Sequence, residues 1–252
     1  MTTKIKFFGY AGYKIITSDN KHIVIDPFLT GNPVAPLTPA ELEQVDLLLI
    51  THNAYDHFGD APEIIKRYNC KVICALDVLH RLKTDYQVDP DFLRVTIWGM
   101  AMNVEGILVR PLESHHWSFG FLENGQMLSG PAMGFIVQTE PGVRIYHPGD
   151  TALTLDMKMW ADLYKPTHGL MHVALPEKSL PHMENYLCGE LTEEEAVLAS
   201  EWLGLDHIIT SHYVSKESPA VKKFIKLANT AIDDGRLQAK ISVIDPGETL
   251  EI

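Results

Sequence analysis

Residues 51–60 read THNAYDHFGD, and this stretch brings metal-ligand side chains close together in sequence. His52, Asp56 and His57 supply two imidazoles and one carboxylate within six residues. These are the ligand types that suit Zn²⁺, Mn²⁺ or Fe²⁺. The alternative without a metal is a loop histidine that caps a neighbouring helix, with Asp56 accepting bonds from backbone N–H groups. Taken alone, the stretch favours the metal site and leaves the alternative open.

Four apolar runs, each typical of a short buried strand, end in polar residues of this kind. VDLLLI leads directly into the stretch above. GILVRPLE leads into His115 and His116, GVRIY leads toward Asp150, and DHIIT leads toward His212. In α/β sheets, ligands collect in the crevice beyond the carboxyl ends of the strands. We therefore expect the four loops to converge on one site.

Two of these loops allow more specific expectations. Asp150 follows a tight Pro-Gly turn that fixes the direction of its carboxylate, and each carboxylate oxygen can reach one cation. Asp150 is therefore a candidate bridge between two ions; its alternative role is to cap a helix that begins near Thr151. His115 and His116 are adjacent, and neighbours on an extended backbone point to opposite sides. One of the pair is a candidate ligand and the other a packing or supporting group.

Helix signals alternate with the strand signals along the chain. Thr38 and Glu41 form a capping-box pattern, as do Thr192 and Glu195, and Asp60 is the predicted N-cap of the helical segment APEIIKRYN. Strands alternating with helices over the whole length predict an α/β fold in one domain, residues 1–252.

Composition excludes several classes of protein. The 252 residues are 46% hydrophobic, and 21 basic against 33 acidic residues give a net charge of −12. That charge disfavours nucleic acid and anionic membrane surfaces as partners. Three cysteines make a poor disulfide framework, and we expect Cys70 and Cys74 to be small buried hydrophobic groups. No stretch has the length and apolarity of a signal peptide core or a membrane span, so a cytoplasmic location is expected.

The motifs THxxxDH, HWS, GDT and SHY, in that order, resemble those of the metallo-β-lactamase fold hydrolases. The early stretch FFGYAGYKIIT…HIVIDPFLTGNP is similar to the subgroup that includes ascorbate-6-phosphate lactonase-like enzymes. The similarity extends from about Lys4 to the C-terminus. It implies a four-layered αββα sandwich with a metal site along one edge of its two sheets.

The resemblance also implies two ligand sets that share Asp150 as a bridge. The first would use His52 and His116, and His115 would not be a ligand. The second would use Asp56, His57 and His212. The cofactor implied is one or two divalent metal ions, zinc first, with manganese or iron as alternatives.

Ala54 departs from the family pattern, because members normally carry a further histidine at this position. Three explanations are open: a natural variant with one tight and one loose metal, another side chain filling the gap, or an engineered change. We favour the natural variant. The candidates for filling the gap are His115, His147, His172 and His182.

The activity implied is hydrolysis of a small ester, lactone or phosphodiester by metal-activated water. Asp56 would orient that water and carry its proton. His172, His182 and Tyr186 are candidate substrate contacts. We expect a small-molecule substrate and leave homo-oligomer formation open. The alternatives are an inactive metal-binding or ligand-sensing protein, to which Ala54 points, and a nuclease of the same superfamily, which the net charge disfavours.

Overall fold

The computed structural model describes residues 2–174 and 189–252. Its fourteen strands are β1 (Lys4–Gly9), β2 (Gly12–Ile16), β3 (His22–Ile25), β4 (Leu47–Leu49), β5 (Lys71–Cys74), β6 (Leu93–Val95), β7 (Met102–Val104), β8 (Ile107–Phe121), β9 (Met127–Glu140), β10 (Val143–His147), β11 (His168–His172), β12 (His207–Ser211), β13 (Lys240–Ser242) and β14 (Thr249–Glu251) within these residues. Its six α-helices are α1 (Tyr55–Phe58), α2 (Ala61–Tyr68), α3 (Leu76–Thr84), α4 (Asp156–Tyr164), α5 (Glu193–Leu203) and α6 (Pro219–Asp233) in the same part of the chain. Short 3₁₀ helices span Pro39–Leu42 and Pro90–Phe92.

The strands form two seven-stranded mixed sheets. The first has the order β14-β1-β2-β3-β4-β5-β6 and the second the order β13-β12-β11-β10-β9-β8-β7. In the first sheet, β3 to β6 pair in parallel; in the second, β10 to β13 do. Strands of both sheets therefore deliver their carboxyl ends to loops along one edge of the sandwich.

Alternation along the strands explains why each sheet is covered on both faces. In β3 and β4, Ile23, Ile25, Leu47 and Leu49 belong to the core between the sheets. Val24 and Leu48, one residue out of step, pack into the outer core with α2 and α3. Helices α4, α5 and α6 bury their apolar faces against the other sheet. The predicted αββα sandwich is confirmed.

Local predictions meet with mixed success. The capping box of Thr192 and Glu195 opens α5 as predicted. Asp60 precedes α2, but its Oδ2 atom accepts bonds from the backbone N–H groups of Leu29 and Thr30 instead of capping the helix. Cys70 and Cys74 are buried free thiols, as predicted. Among residues 2–174 and 189–252, no helix combines the length and apolarity needed to cross a bilayer.

One strand differs from the prediction in a way that shapes the site. The pair His115–His116 was expected just after a strand, yet β8 continues through it to Phe121. Its register against β9 shifts between Glu113 and Trp117, as at a β-bulge. Because of this irregularity, β8 pairs with β9 both before and after His115 and His116, while the two histidines themselves lie in the unpaired stretch between.

Candidate metal centre

Asp150 lies at the centre of a ring of imidazoles. Its side chain is 6% exposed, and every ion-pair distance within 4 Å from its carboxylate leads to a histidine in the described part of the chain. Oδ2 faces Nε2 of His57 at 3.2 Å, of His52 at 3.8 Å and of His116 at 3.9 Å. Oδ1 faces Nδ1 of His172 at 3.4 Å and Nε2 of His212 at 3.5 Å.

The backbone beneath Asp150 fixes the direction of its carboxylate. Gly149 has φ +61°, and a Cβ at this position would lie 2.9 Å from the Thr51 Cβ atom. Nδ1 of His147 accepts a bond from the Gly149 N–H at 3.0 Å, and its Nε2 lies 2.9 Å from the carbonyl oxygen of Ala11. Both nitrogens of His147 are thus engaged in the turn, so His147 does not fill the gap left at Ala54.

Asp26 holds in place the loop after β4, which carries His52 and His57. The Thr51 hydroxyl donates to Asp26 Oδ2 at 2.8 Å and lies 3.0 Å from Nδ1 of His52. Nδ1 of His57 lies 2.8 Å from Asp26 Oδ2. Because Asp26 holds the outer nitrogen of His57, the inner nitrogen is directed toward Asp150.

The next residue secures the same loop against a neighbouring strand and helix. The Asn53 N–H donates to the Ser118 hydroxyl at 3.0 Å, and the Asn53 side-chain oxygen accepts from Arg81 at 2.9 Å. These bonds tie the loop to β8 and to α3. The histidines on either side of Asn53 are therefore held by rigid elements.

His115 and His116 point in opposite directions. The His115 side chain is 45% exposed, and its Nε2 lies 4.0 Å from Glu113. The His116 side chain is 12% exposed. Its Nδ1 lies 2.9 Å from the Gly189 carbonyl oxygen, and its Nε2 faces Asp150. The structure brings His116 into the site and leaves His115 outside it.

His212 follows β12 in an uncommon backbone conformation, with φ +66°. Its N–H donates to the Tyr10 carbonyl oxygen at 2.8 Å, and its Nδ1 lies 3.3 Å from the Ala174 carbonyl oxygen. A carbonyl oxygen accepts only, so Nδ1 carries the proton in this contact. Nε2 of His212 is left facing Asp150 Oδ1.

His172 and Glu190 complete a second group around Asp150. His172, at the end of β11, is 1% exposed, and its Nε2 lies 2.8 Å from Glu190 Oε2. His172 was predicted as a substrate contact, and the structure places it in this buried cluster beside Asp150. Glu190 was not singled out from the sequence. Glu190 belongs to a run of acidic residues before and within α5. Acidic residues are common at a helix N-terminus, so this run gave no separate indication of a ligand.

Burial and charge shift the pKa values of these groups. Burial lowers the pKa of His52, His172 and His212, so these imidazoles are neutral. Burial also acts to lower the pKa of His57, but nearby carboxylates, first that of Asp150, outweigh it and hold that pKa well above its ordinary range. A cation bound beside His57 would replace the proton on its inner nitrogen.

The two carboxylates respond in opposite senses. Burial acts to raise the pKa of Asp150, but the adjacent histidines, first His57, hold it well below its ordinary range. Burial and then the neighbouring Asp150 charge raise the pKa of Glu190 to about 7.

These residues form three groups whose ligand atoms lie within 4.8 Å of one another. The groups are His52–His116–Asp150, Asp56–His57–His212 and Asp150–His172–Glu190–His212. Several of the inner atoms are buried without a hydrogen-bond partner: His52 Nε2, His57 Nε2, Asp150 Oδ1, His172 Nδ1 and His212 Nε2. Buried polar atoms are seldom left unsatisfied, so this donor set fits a divalent cation with nitrogen and oxygen ligands.

Asp56 has the most exposed of the three carboxylates of the site; the side chains of Glu190 and Asp150 are 10% and 6% exposed. It lies in the first turn of α1, its Oδ2 is 3.8 Å from His57 Nε2, and its side chain is 13% exposed. Ala54 stands at the N-cap of the same short helix. The His52–His116–Asp150 group therefore has three members, and no fourth is added to it among the described residues.

Two predicted site residues, His182 and Tyr186, lie outside the described residues. Their assignment as substrate contacts stays a prediction, as does that of His172. The six predicted ligands, by contrast, lie together in space: His52, Asp56, His57, His116, Asp150 and His212. Their roles as ligands remain predictions.

Comparison with known proteins gives a consistent result. A family model described as a beta-lactamase superfamily domain matches residues 21–213. The chain is 34% identical over 251 residues to a UPF0173 metal-dependent hydrolase of Thermococcus onnurineus, and the match covers 99% of each chain. It is 34% identical over 255 residues to a UPF0173 metal-dependent hydrolase of Archaeoglobus fulgidus, covering 98% of each. Among solved structures, Igni18, a metallo hydrolase from Ignicoccus hospitalis, aligns with a TM-score of 0.78 and 25% identity, covering 100% of this chain and 99% of Igni18.

Proposed function

This chain belongs to the UPF0173 metal-dependent hydrolases of the beta-lactamase superfamily, and from that premise we propose that it cleaves a small carboxylic ester or lactone with metal-activated water. Phosphodiesters are the next substrate class to test. The observation that carries the proposal is the convergence of histidines and carboxylates on Asp150, with their inner atoms buried and unpartnered. Zinc is the proposed metal, with manganese or iron as alternatives.

The chain's own residues suit this chemistry in distinct ways. When bound, a divalent cation lowers the pKa of a water from about 15.7 to about 7 and polarises a substrate oxygen. One or two such ions would be held by the six predicted ligands: His52, Asp56, His57, His116, Asp150 and His212. Asp26 fixes the tautomer of His57 by accepting a bond from its outer nitrogen.

We assign proton transfer to Asp56. Its side chain is 13% exposed, whereas that of Asp150 is 6% exposed and surrounded by imidazoles. A carboxylate at the solvent side of the site can accept a proton from the attacking water and pass it to the leaving oxygen. Asp150 is better suited to hold charge in place than to move protons.

An aromatic surface beside the site supports an ester or lactone with an apolar part. The ring of Tyr10 lies 6.4 Å from that of His212 and 5.3 Å from Phe28, and Phe28 lies 5.6 Å from Tyr55. Tyr55 is 66% exposed. On the β8 side, Trp117 is 52% exposed and its ring lies 6.2 Å from that of His116. These rings can contact the acyl or ring carbons of a substrate whose carbonyl faces the histidines.

The experiment is turnover by the purified protein of an aryl ester, a simple lactone and a bis-aryl phosphodiester, with Zn²⁺ or Mn²⁺ added. We expect ester or lactone hydrolysis that a chelator abolishes and that Asp56→Asn lowers by about 100-fold or more. Asp162→Asn, an exposed aspartate far along the chain on α4, serves as the matched control. Hydrolysis that survives chelation would contradict the proposal. Metal binding with no turnover of any of the three substrates would favour the inactive scaffold to which Ala54 points.

A further inference from the structure

We propose that Asp150, His172, Glu190 and His212 form a cation site of this chain, distinct from the two ligand sets predicted from its sequence. The inference rests on the proposed function only in that both place a cation beside Asp150. It assigns ligand roles to His172 and Glu190, which belong to neither of the predicted sets.

The four side chains meet the basic requirements of a site. One ligand atom from each lies within 4.8 Å of the others. Their residues are 5%, 1%, 7% and 4% exposed, in the order given. Two imidazoles and two carboxylates form a complete set of four ligands, and their two negative charges balance one divalent ion.

Hydrogen bonds to one carbonyl fix the direction of both imidazoles. Nε2 of His172 lies 2.9 Å from the Ala174 oxygen, and Nδ1 of His212 lies 3.3 Å from the same oxygen. Since a carbonyl oxygen only accepts, each of these nitrogens carries its proton there. The remaining nitrogens, His172 Nδ1 and His212 Nε2, face Asp150 Oδ1 at 3.4 Å and 3.5 Å.

This arrangement places three electron-rich atoms together in a buried space. His172 Nδ1, His212 Nε2 and Asp150 Oδ1 have no hydrogen-bond partner among the described residues. Leaving such atoms buried and unsatisfied is unfavourable. One proton between His172 and Asp150 would satisfy that pair and leave His212 Nε2 bare. One cation satisfies all three atoms. Oε2 of Glu190 lies 2.8 Å from the proton-bearing Nε2 of His172 and accepts its hydrogen bond, and the second carboxylate oxygen of Glu190 would supply the fourth ligand.

The site also bears on the position of Ala54. In the His52–His116–Asp150 group, both imidazoles face Oδ2 of Asp150, and the group has three members. The group proposed here uses the other carboxylate oxygen and has four. Because His212 Nε2 has a single lone pair, an ion held here excludes His212 from the Asp56–His57 group while it is bound. The proposed cation site thus lies on the Oδ1 side of Asp150, whereas the group that lacks a ligand at Ala54 lies on the Oδ2 side.

The donor atom of His172 gives a direct test. His52, His57, His116 and His212 all face Asp150 through Nε2, whereas His172 faces it through Nδ1. Protein labelled with ¹⁵N-histidine is titrated with Zn²⁺ and followed by two-bond ¹H–¹⁵N correlation spectra without substrate. We expect one imidazole to bind through Nδ1, and its signal to be absent in His172→Ala. Spectra in which every metal-bound imidazole uses Nε2 would overturn the proposal.

Affinity supplies a second measurement, which does not depend on the His172 variant folding. Glu190→Gln keeps an acceptor oxygen for the His172 N–H and removes the charge. We expect calorimetric titration with Zn²⁺ to show the tightest equivalent weakened by about tenfold or more in Glu190→Gln. The exposed Glu123→Gln is the matched control and should bind as the parent protein does. Equal affinity in Glu190→Gln and the parent would also overturn the proposal.

The proposed function and this inference fail in different ways. If the metal is lost in His57→Ala and Asp56→Asn but retained in Glu190→Gln, with Nε2 ligation throughout, this inference is wrong and the proposed function stands. If the Nδ1 signal is present while no ester, lactone or phosphodiester is turned over, the cation site stands and the proposed function fails.

Discussion

Asp26 Oδ2 lies 2.8 Å from Nδ1 of His57, and both side chains are fully buried. The same oxygen accepts the Thr51 hydroxyl proton at 2.8 Å, and the other oxygen of Asp26 accepts the Thr51 N–H at 2.9 Å. One acid at the end of β3 therefore sets both the path of the ligand loop and the orientation of its second histidine. A carboxylate behind a histidine is the usual way in which a metal site fixes the imidazole tautomer.

Asp26→Asn should test this relationship. The amide has one oxygen that accepts hydrogen bonds, and its NH₂ group can only donate. It therefore cannot accept from Thr51 and His57 through both polar atoms, as the carboxylate does. We expect metal affinity, measured by calorimetry with Zn²⁺, to fall by about 10–100-fold. Asp162→Asn should leave the affinity unchanged. An Asp26→Asn protein that binds as tightly as the parent would show that Thr51 alone is sufficient to orient the loop.

Much of this architecture could be predicted from the sequence. The runs VDLLLI, GVRIY and DHIIT form β4, β10 and β12 because they are short, apolar and bounded by polar residues. The ends of these strands then place His52, Asp150 and His212 along one edge. Loop residues of this kind are predictable because the direction of parallel strands fixes where they emerge.

Other features could not be predicted because they depend on contacts between distant segments. Asp26 pairs with a histidine 31 positions later, and nothing in HIVIDPF alone distinguishes it from a turn aspartate. Glu190 reaches His172 across the residues that separate β11 from α5. The extension of β8 past His116 depends on a bulge against β9, which composition does not indicate. A signal for Asp26 did exist: like His212 after β12, it directly follows an apolar strand.

The paired histidines give the second prediction. His116→Ala removes an imidazole that faces Asp150 at 3.9 Å, whereas His115→Ala removes one whose side chain is 45% exposed. We expect His116→Ala to weaken metal binding and abolish turnover, and His115→Ala to change either by less than about threefold. Elemental analysis after gel filtration, together with ester turnover, makes the comparison. The reverse ranking would place the inner face of β8 one residue out of register.

The third prediction concerns stability and pH away from the metal centre. Burial, and then the nearby His168 and Lys240, lower the pKa of His207 from 6.5 to about 4. In the unfolded chain its pKa is about 6.5, so between pH 6.5 and about 4 the unfolded state binds the extra proton. The free energy of unfolding should therefore fall as pH falls through this window. In His207→Gln the fall between pH 7 and pH 5, measured by urea denaturation with chelator present, should be smaller by about 1 kcal/mol. An identical pH dependence in the two proteins would exclude His207 as a source.

The last prediction concerns Ala54. If the His52–His116–Asp150 group lacks a ligand, the parent protein should bind one Zn²⁺ tightly and a second only at raised concentration. Ala54→His restores an imidazole on the helix that carries Asp56 and His57, and we expect the second equivalent to tighten by about tenfold or more. Ala54→Leu is the matched control, since it adds bulk without a lone pair and should leave the second equivalent weak.

Calorimetry and ester turnover together distinguish three results. Tightening in Ala54→His alone identifies the gap as a missing ligand. Two tight equivalents in the parent protein would contradict the prediction, because they would show that two complete ligand sets form without an imidazole at position 54. Loss of turnover in both Ala54→His and Ala54→Leu, without tighter binding in either, would show that the small side chain makes room for substrate. In that case Tyr55 is the next residue to change, because it follows Ala54, is 66% exposed and belongs to the aromatic surface beside the site.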